Sequence, residues 1–180
     1  MRYLILKFKN KINKDININE IIHDLFNPVK IIIKDETIII FTHQEKEIIY
    51  EILENLITDL LTDIIAYISN QGDENYERII SYFNTDVSHN IILDEKKLLI
   101  QMIKEKSDLI FKPEKLKHLS FEMIETAKNF LENNQNITQT ASKMYLHRNT
   151  LIQRLDKFKK ETDYDLKAFE DAFVIYYFIK

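Results

Sequence analysis

The chain has 180 residues, 45% of them apolar and 30% charged, with no cysteine, one glycine, two prolines and a formal net charge of -4. That is room for one medium domain or two small ones, and the composition is that of a folding chain rather than a disordered one. Lack of cysteine excludes disulfides, thiolate nucleophiles and cysteine-held zinc. A single glycine excludes phosphate-cradling loops, dinucleotide fingerprints and nucleophile elbows, which need several glycines where backbone approaches phosphate or turns sharply.

In chain order, Arg2 to Phe8 (RYLILKF) reads as a strand. Its apolar run is too short for the core of a signal peptide, and no window of about 18 residues is free of charge, so nothing reads as membrane-spanning and a cytoplasmic location is expected. NINEIIHDLF has helical apolar spacing with Asn17 or Asn19 able to cap it, and VKIIIKDETIIIFTH holds two isoleucine-rich runs around Lys34, Asp35 and Glu36, the pattern of a hairpin. In EKEIIYEILENLITDLLTDIIAYISNQG, apolar pairs at 48/49, 52/53, 56/57, 60/61 and 64/65 recur every four residues and open a helix. The segment TDIIAYISN before Gly72 has two readings. As a strand it completes a βαββαβ order of the ferredoxin-like kind; as a continuation it makes one long helix suited to a partner.

DENYERIISYF and LDEKKLLIQMIKEKSDLIF read as two more helices, the second ending before Pro113, which biases Lys112 away from helix. After that proline the pattern is wholly helical. The expected class is therefore α+β: an N-terminal ferredoxin-like domain at 1–93 for regulation or dimerisation, a helical connector at 94–120, and an all-α domain at 121–180. The five histidines, His23, His43, His89, His118 and His147, are scattered without metal-ligand spacing, and no carboxylate pair stands out as general acid and base. No catalytic residue, metal site or cofactor is assigned, and an enzyme is not expected.

Charge is unevenly placed. Through Pro113 there are 14 basic and 19 acidic residues, whereas Lys143 to Lys160 holds six basic residues and one acid, Asp156. Such a run is either a solvated helix face or a confined surface for a polyanion. Two of the chain's four arginines, Arg148 and Arg154, lie in it. Three helices are expected here. SFEMIETAKNFLENN places Met123, Ile124, Ala127, Phe130 and Leu131 on one face. NITQTASKMYL is expected to be capped by Thr138 with Ala141 and Met144 inward, and HRNTLIQRLDKF buries Leu151, Leu155 and Phe158. At about 100° per residue, Asn149, Gln153 and Lys160 then point away from that buried stripe, and Arg148 and Arg154 flank it. Amides can pair with adenine and arginine's planar fork with guanine in the DNA major groove, while Lys157, Lys159 and Lys160 would meet phosphates. Arg154 could instead pair with Asp156, Glu161 or Asp163.

NITQTASKMYLHRNTLIQRLDKFKKETDYDLKAFEDAF closely resembles the C-terminal helix-turn-helix of the PucR/CdaR family of bacterial transcriptional regulators. The resemblance is carried by Thr140, Ala141, His147, Arg148, Asn149, Thr150, Leu151, Arg154, Leu155, Thr162, Asp165 and Leu166 and covers about residues 121 to 180. It implies sequence-specific binding of double-stranded DNA through the helix at 148–158, by a homodimer, with any small-molecule effector unspecified. It also implies a degenerate, non-catalytic cyclase-like domain of ferredoxin type upstream. Two positions depart from the family pattern: Asp163 stands where glycine is usual after the recognition helix, and Gln153 stands where tyrosine or a similar residue is usual before Arg154. The module is also similar to the helix-turn-helix of Fis-type nucleoid proteins, which implies Asn136 and Thr138 as phosphate contacts and His147 as a cap close to the bases. The DNA-binding set is therefore Asn136, Thr138, His147, Arg148, Asn149, Thr150, Gln153, Arg154, Lys157 and Lys160. The competing reading is a sensor or protein-interaction module whose helix-turn-helix has become a docking surface.

Overall fold

The computed structural model describes residues 1–8, 17–34, 36–60, 63–70, 76–84 and 91–180. It divides into two compact units, Met1–Leu98 and Leu99–Lys180. Asp35, Gly72 and His89 lie outside the described residues.

The first unit contains β1 (Arg2–Phe8), α1 (Ile18–Phe26), β2 (Lys30–Lys34), β3 (Thr37–Thr42), α2 (Lys46–Leu60), β4 (Ile64–Ile68), α3 (Tyr76–Phe83), β5 (Ile91–Asp94) and the start of α4 (Glu95–Lys104). The strands form one sheet in the order β2-β3-β1-β4-β5, in which β1 runs antiparallel to β3 and β4, β2 antiparallel to β3, and β5 parallel to β4. The first four strands with α1 and α2 make the βαββαβ ferredoxin-like arrangement. TDIIAYISN thus contributes a strand, not a helical extension. Its register with β1 pairs Leu4 with Ile68 and Leu6 with Ala66. Side chains alternate across a strand, so Leu4, Leu6, Phe8, Ile38, Ile40, Ile64, Ala66 and Ile68 share one face, where they bury Ile22 and Phe26 of α1 and Ile49 and Leu53 of α2. On the other face Tyr3 meets Tyr67 and, edge-on, Tyr76 of α3, while the Lys7 ammonium donates to the Phe83 carbonyl at 2.6 Å. All five residues of β4 are buried. A strand covered on both sides has no polar alternation to show, which is why this segment reads equally as helix.

One strand is a correction. Ile91 to Asp94 pairs with β4 as a fifth strand, ahead of a helix expected to begin there. Asp94 ends the strand and opens α4: its Oδ1 accepts from the Lys97 amide at 2.9 Å, and its Oδ2 from the Lys46 ammonium at 2.9 Å and the Tyr50 hydroxyl at 3.3 Å. Burial pushes this carboxyl up, but the Lys97 amide and the Lys46 ammonium outweigh it and hold it below the usual aspartate range. Burial, and next the charge of Asp94, pushes the Tyr50 phenol well up. At the other end of the unit, Asn17 caps α1, accepting from the Glu20 amide.

The second unit is helical. The helix expected to reach Pro113 stops at Lys104, where the Ser107 amide donates back to Met102 and the Lys106 amide to Ile103, with Lys106 at φ 54°. This is a Schellman ending built without glycine. After it come α5 (Glu114–Lys117), α6 (Phe121–Glu132), α7 (Ile137–Lys143), α8 (Arg148–Thr162) and α9 (Phe169–Ile179). Met123, Ala127 and Phe130 of α6, Leu151, Leu155 and Phe158 of α8, Val174 and Ile175 of α9, and Tyr164 and Leu166 between them are buried. Ser120 caps α6 by accepting from the Met123 amide. α6 packs against α7, α8 and α9.

Candidate nucleic-acid interface

The pair α7 and α8 meets at a short turn. The cap of α7 is Asn136, whose side chain accepts from the Gln139 amide at 3.0 Å, rather than Thr138, which lies exposed within the helix. Asn136 precedes Thr138 by two residues and reaches the third amide of the helix first, since its own carbonyl already accepts from Thr140. Ala141 is buried as expected, but its buried companion is Thr140; Met144 is only half-buried. The Thr140 hydroxyl is satisfied by donating to the Asn136 carbonyl, so the polar residue is buried at no loss of hydrogen bonding.

The turn itself is another Schellman ending. The Leu146 amide donates to Ala141 at 2.8 Å and the Tyr145 amide to Ser142 at 3.1 Å, with Tyr145 at φ 53°. Tyr145 is 97% exposed. A β-carbon in the left-handed region costs energy, and an exposed ring gains nothing from packing to offset it. Tyr145 stands directly before the Leu-His-Arg-Asn run that opens α8.

His147 caps α8, its Nδ1 accepting from the Asn149 amide at 3.3 Å. That bond needs an unprotonated Nδ1, leaving Nε2–H as an outward donor. Leu151, Leu155 and Phe158 are buried, so the opposite face of α8 is solvent-facing. Asn149, Gln153 and Lys160 are exposed there and Arg148 is exposed at the flank of the stripe, and the four side chains have no partner among the described residues. At about 1.5 Å per residue the row from Asn149 to Lys160 spans about 16 Å. Thr150 is half-buried beside it.

The remaining cations are engaged. Arg154 bridges to Glu122 at the start of α6 at 2.5 Å, not to Asp156, Glu161 or Asp163. Lys157 approaches Glu161 at 3.7 Å, and Lys159 pairs with Asp165 at 2.8 Å. This last contact raises the Lys159 ammonium's pKa and, with the Lys167 amide, lowers that of the Asp165 carboxyl. Asp156 is held by Lys167 at 3.3 Å. Asp163 closes α8 in the left-handed conformation at φ 65°, doing glycine's work, and carries an ion pair to Lys115. Of the ten residues named from sequence, Arg148, Asn149, Gln153 and Lys160 are therefore brought together with free side chains. Asn136 and His147 serve as caps, and Arg154 and Lys157 are ion-paired. Among the described residues no group of three or more His, Cys, Asp or Glu could hold a metal ion, and no helix is long and apolar enough to cross a membrane.

Residues 123–180 match the model of the PucR C-terminal helix-turn-helix domain. An uncharacterized protein of Bacillus subtilis (strain 168), YxkF, is 39% identical over 83 residues, which is 46% of this chain and only about a quarter (26%) of that relative's length. The crystal structure of a regulator of polyketide synthase expression from Bifidobacterium adolescentis has the same fold, with a TM-score of 0.56 over 98% of this chain and 76% of that one, at 13% identity. The helices α6 to α9, with the Asn136 and His147 caps and the three-residue stripe of α8, are a helix-turn-helix domain of the PucR type.

Proposed function

We propose that the protein is a sequence-specific DNA-binding transcriptional regulator that lays α8 in the major groove and acts as a homodimer. The carrying observation is the unpartnered row of Asn149, Gln153 and Lys160 opposite the buried stripe of α8, with Arg148 exposed and unpartnered at its flank. Long polar side chains held at a helix surface without an internal partner are free to exchange water for base edges and phosphates. Arg148, in the first turn, is assigned to a guanine, and Asn149 and Gln153, one turn apart, to adenines. Lys160 meets a phosphate, as Lys157 does after releasing Glu161. His147 donates Nε2–H to the backbone beside the bases, with Thr150 next to it. Thr138 offers its hydroxyl from α7, and Asn136 aligns the free amides of that helix toward a phosphate. Arg154 orients α8 on α6 through Glu122 and reaches DNA only by leaving it. A single short helix reads few base pairs, so twofold pairing sets two half-sites about one helical turn apart. The N-terminal unit is the regulatory part, able to take an effector.

In vitro selection of bound duplexes followed by gel-shift titration tests this reading. Arg148→Ala and Asn149→Ala should each weaken binding to the selected site by roughly tenfold or more, and retention on genomic DNA should fall steeply with added salt. Absence of retention at low salt would favour a helix-turn-helix turned into a protein-docking surface.

A further inference from the structure

One cation of the basic run from Lys143 to Lys160 lies outside α8. Arg154, Lys157 and Lys159 of that run are ion-paired, whereas Lys143, in the last turn of α7, is exposed and its ammonium has no partner among the described residues. Two residues later stands Tyr145, 97% exposed, whose side chain makes no hydrogen bond or ring contact among the described residues. Of the six described residues other than glycine that hold a positive φ, Tyr145 alone is aromatic. Asparagine and aspartate enter the left-handed region at modest cost, but a bulky side chain there is an outlier. A ring held in that conformation with nothing of its own chain to pack on points to a contact outside the chain.

We infer that Lys143 and Tyr145 together grip the DNA phosphate backbone at the turn between α7 and α8, which rests on the DNA-binding reading above and adds a contact that positions α8 without reading sequence. Charge selects the ligand. Residues 133–155 contain no aspartate or glutamate, in a chain with 29 of them among 180 residues. Lys143 and Arg148 flank Tyr145 in sequence, so the turn segment carries only positive charge and attracts an anion. Space selects the backbone over the bases. A helix with its side chains is about 10–12 Å across and the major groove is about 12 Å wide, so α8 fills the groove it enters. Tyr145 precedes the His147 cap and Lys143 belongs to α7, so both side chains are rooted outside α8 and meet the phosphate wall of the groove rather than its floor. Their chemistry suits that wall: a tyrosine hydroxyl donates to a phosphate oxygen, and an ammonium supplies opposite charge with little directional demand. Their Cα atoms are at most about 7 Å apart, within reach of one phosphate or two neighbours. A lysine in the last turn also suits the dipole of α7, but the dipole gives no account of a tyrosine at φ 53°.

Gel-shift titration of the full chain across a salt series tests this, with a selected duplex and a scrambled one as probes. Lys143→Gln should weaken binding to both several-fold and reduce the slope of log affinity against log salt by about 1. Tyr145→Phe should weaken binding to both roughly tenfold or more, because a phosphate contact is blind to sequence. Both side chains are exposed, so neither substitution removes packing; circular dichroism checks folding, and if one variant unfolds the other decides. Unchanged affinity in either folded variant overturns the inference, and so does a loss confined to the selected duplex, which would make the turn a reader of bases. Arg148→Ala and Asn149→Ala, run on the same probes, separate the two proposals. If they weaken binding and the turn variants do not, the regulator reading stands and this contact falls. If the turn variants weaken binding to both duplexes and those two do not, this contact stands and the assignment of α8 as the reading helix falls. A wild-type chain that ignores both duplexes even at low salt sinks both.

Discussion

Replacing Tyr145 by glycine should move stability and DNA binding in opposite directions. The residue holds φ at 53° in the turn between α7 and α8, and its ring is 97% exposed. An L-residue there costs about 1–2 kcal/mol, which glycine recovers. Glycine loses about 0.5–1 kcal/mol through greater freedom in the unfolded chain. No packing is forfeited, and the backbone bonds from Leu146 and Tyr145 to Ala141 and Ser142 do not involve the side chain. The net is between zero and about 1.5 kcal/mol of added stability, a change in melting temperature of a few degrees upward or none. If the phenol instead reaches a phosphate beside α8, its loss removes a hydrogen bond to a charged group, about 1.5–3 kcal/mol, or roughly tenfold or more in affinity. Thermal unfolding and gel-shift titration of wild type, Tyr145→Gly and Tyr145→Phe read both quantities. The phenylalanine variant should bind like the glycine variant if the hydroxyl makes the contact. A glycine variant that is less stable than wild type refutes the account of the turn, and undiminished affinity refutes the contact.

Glu122→Gln should strengthen salt-dependent DNA binding several-fold by freeing Arg154, while costing at most about 1 kcal/mol of stability because the pair is partly exposed; a gel-shift salt series and thermal melts check it. Asn136→Ala should destabilise the second unit by about 1 kcal/mol through loss of the α7 cap, whereas Thr138→Ala should leave stability unchanged. Asp94 gives the first unit a pH dependence. Its folded pKa lies below the unfolded value of about 3.9, so its contribution is fully present above that value and is lost as pH falls through it to the lower folded value. Asp94→Asn should flatten that acid limb of the stability profile in urea titrations at stepped pH, and an unchanged limb would remove Asp94 as its cause.

The outward polar face of α8 was legible because α8 has one buried stripe, and three apolar residues at i, i+4 and i+7 orient the whole helix. The outward positions of Asn149, Gln153 and Lys160 follow from that stripe alone. Helix ends were less legible for a chemical reason. In a chain with one glycine, Lys106, Asn134, Tyr145 and Asp163 take the left-handed positions where glycine would advertise a stop. The spacing therefore carries α4 past its end at Lys104, and Leu93 and Asp94 of the four-residue β5 read as the start of the helix that follows.

Local periodicity and side-chain chemistry thus determined by themselves that the C-terminal third is helical with an outward polar row, and the resemblance of its residues to the PucR family implied that the helices form a helix-turn-helix. Only the tertiary structure decided the rest: that residues 64–68 are a strand, because β1 and β5 pair on either side of it; that Arg154 belongs to Glu122, a residue 32 positions away in sequence; and that α9 keeps an aromatic face in water. Each of these depends on which distant element supplies the partner, and a partner brought in by folding leaves no mark in the spacing of neighbouring residues.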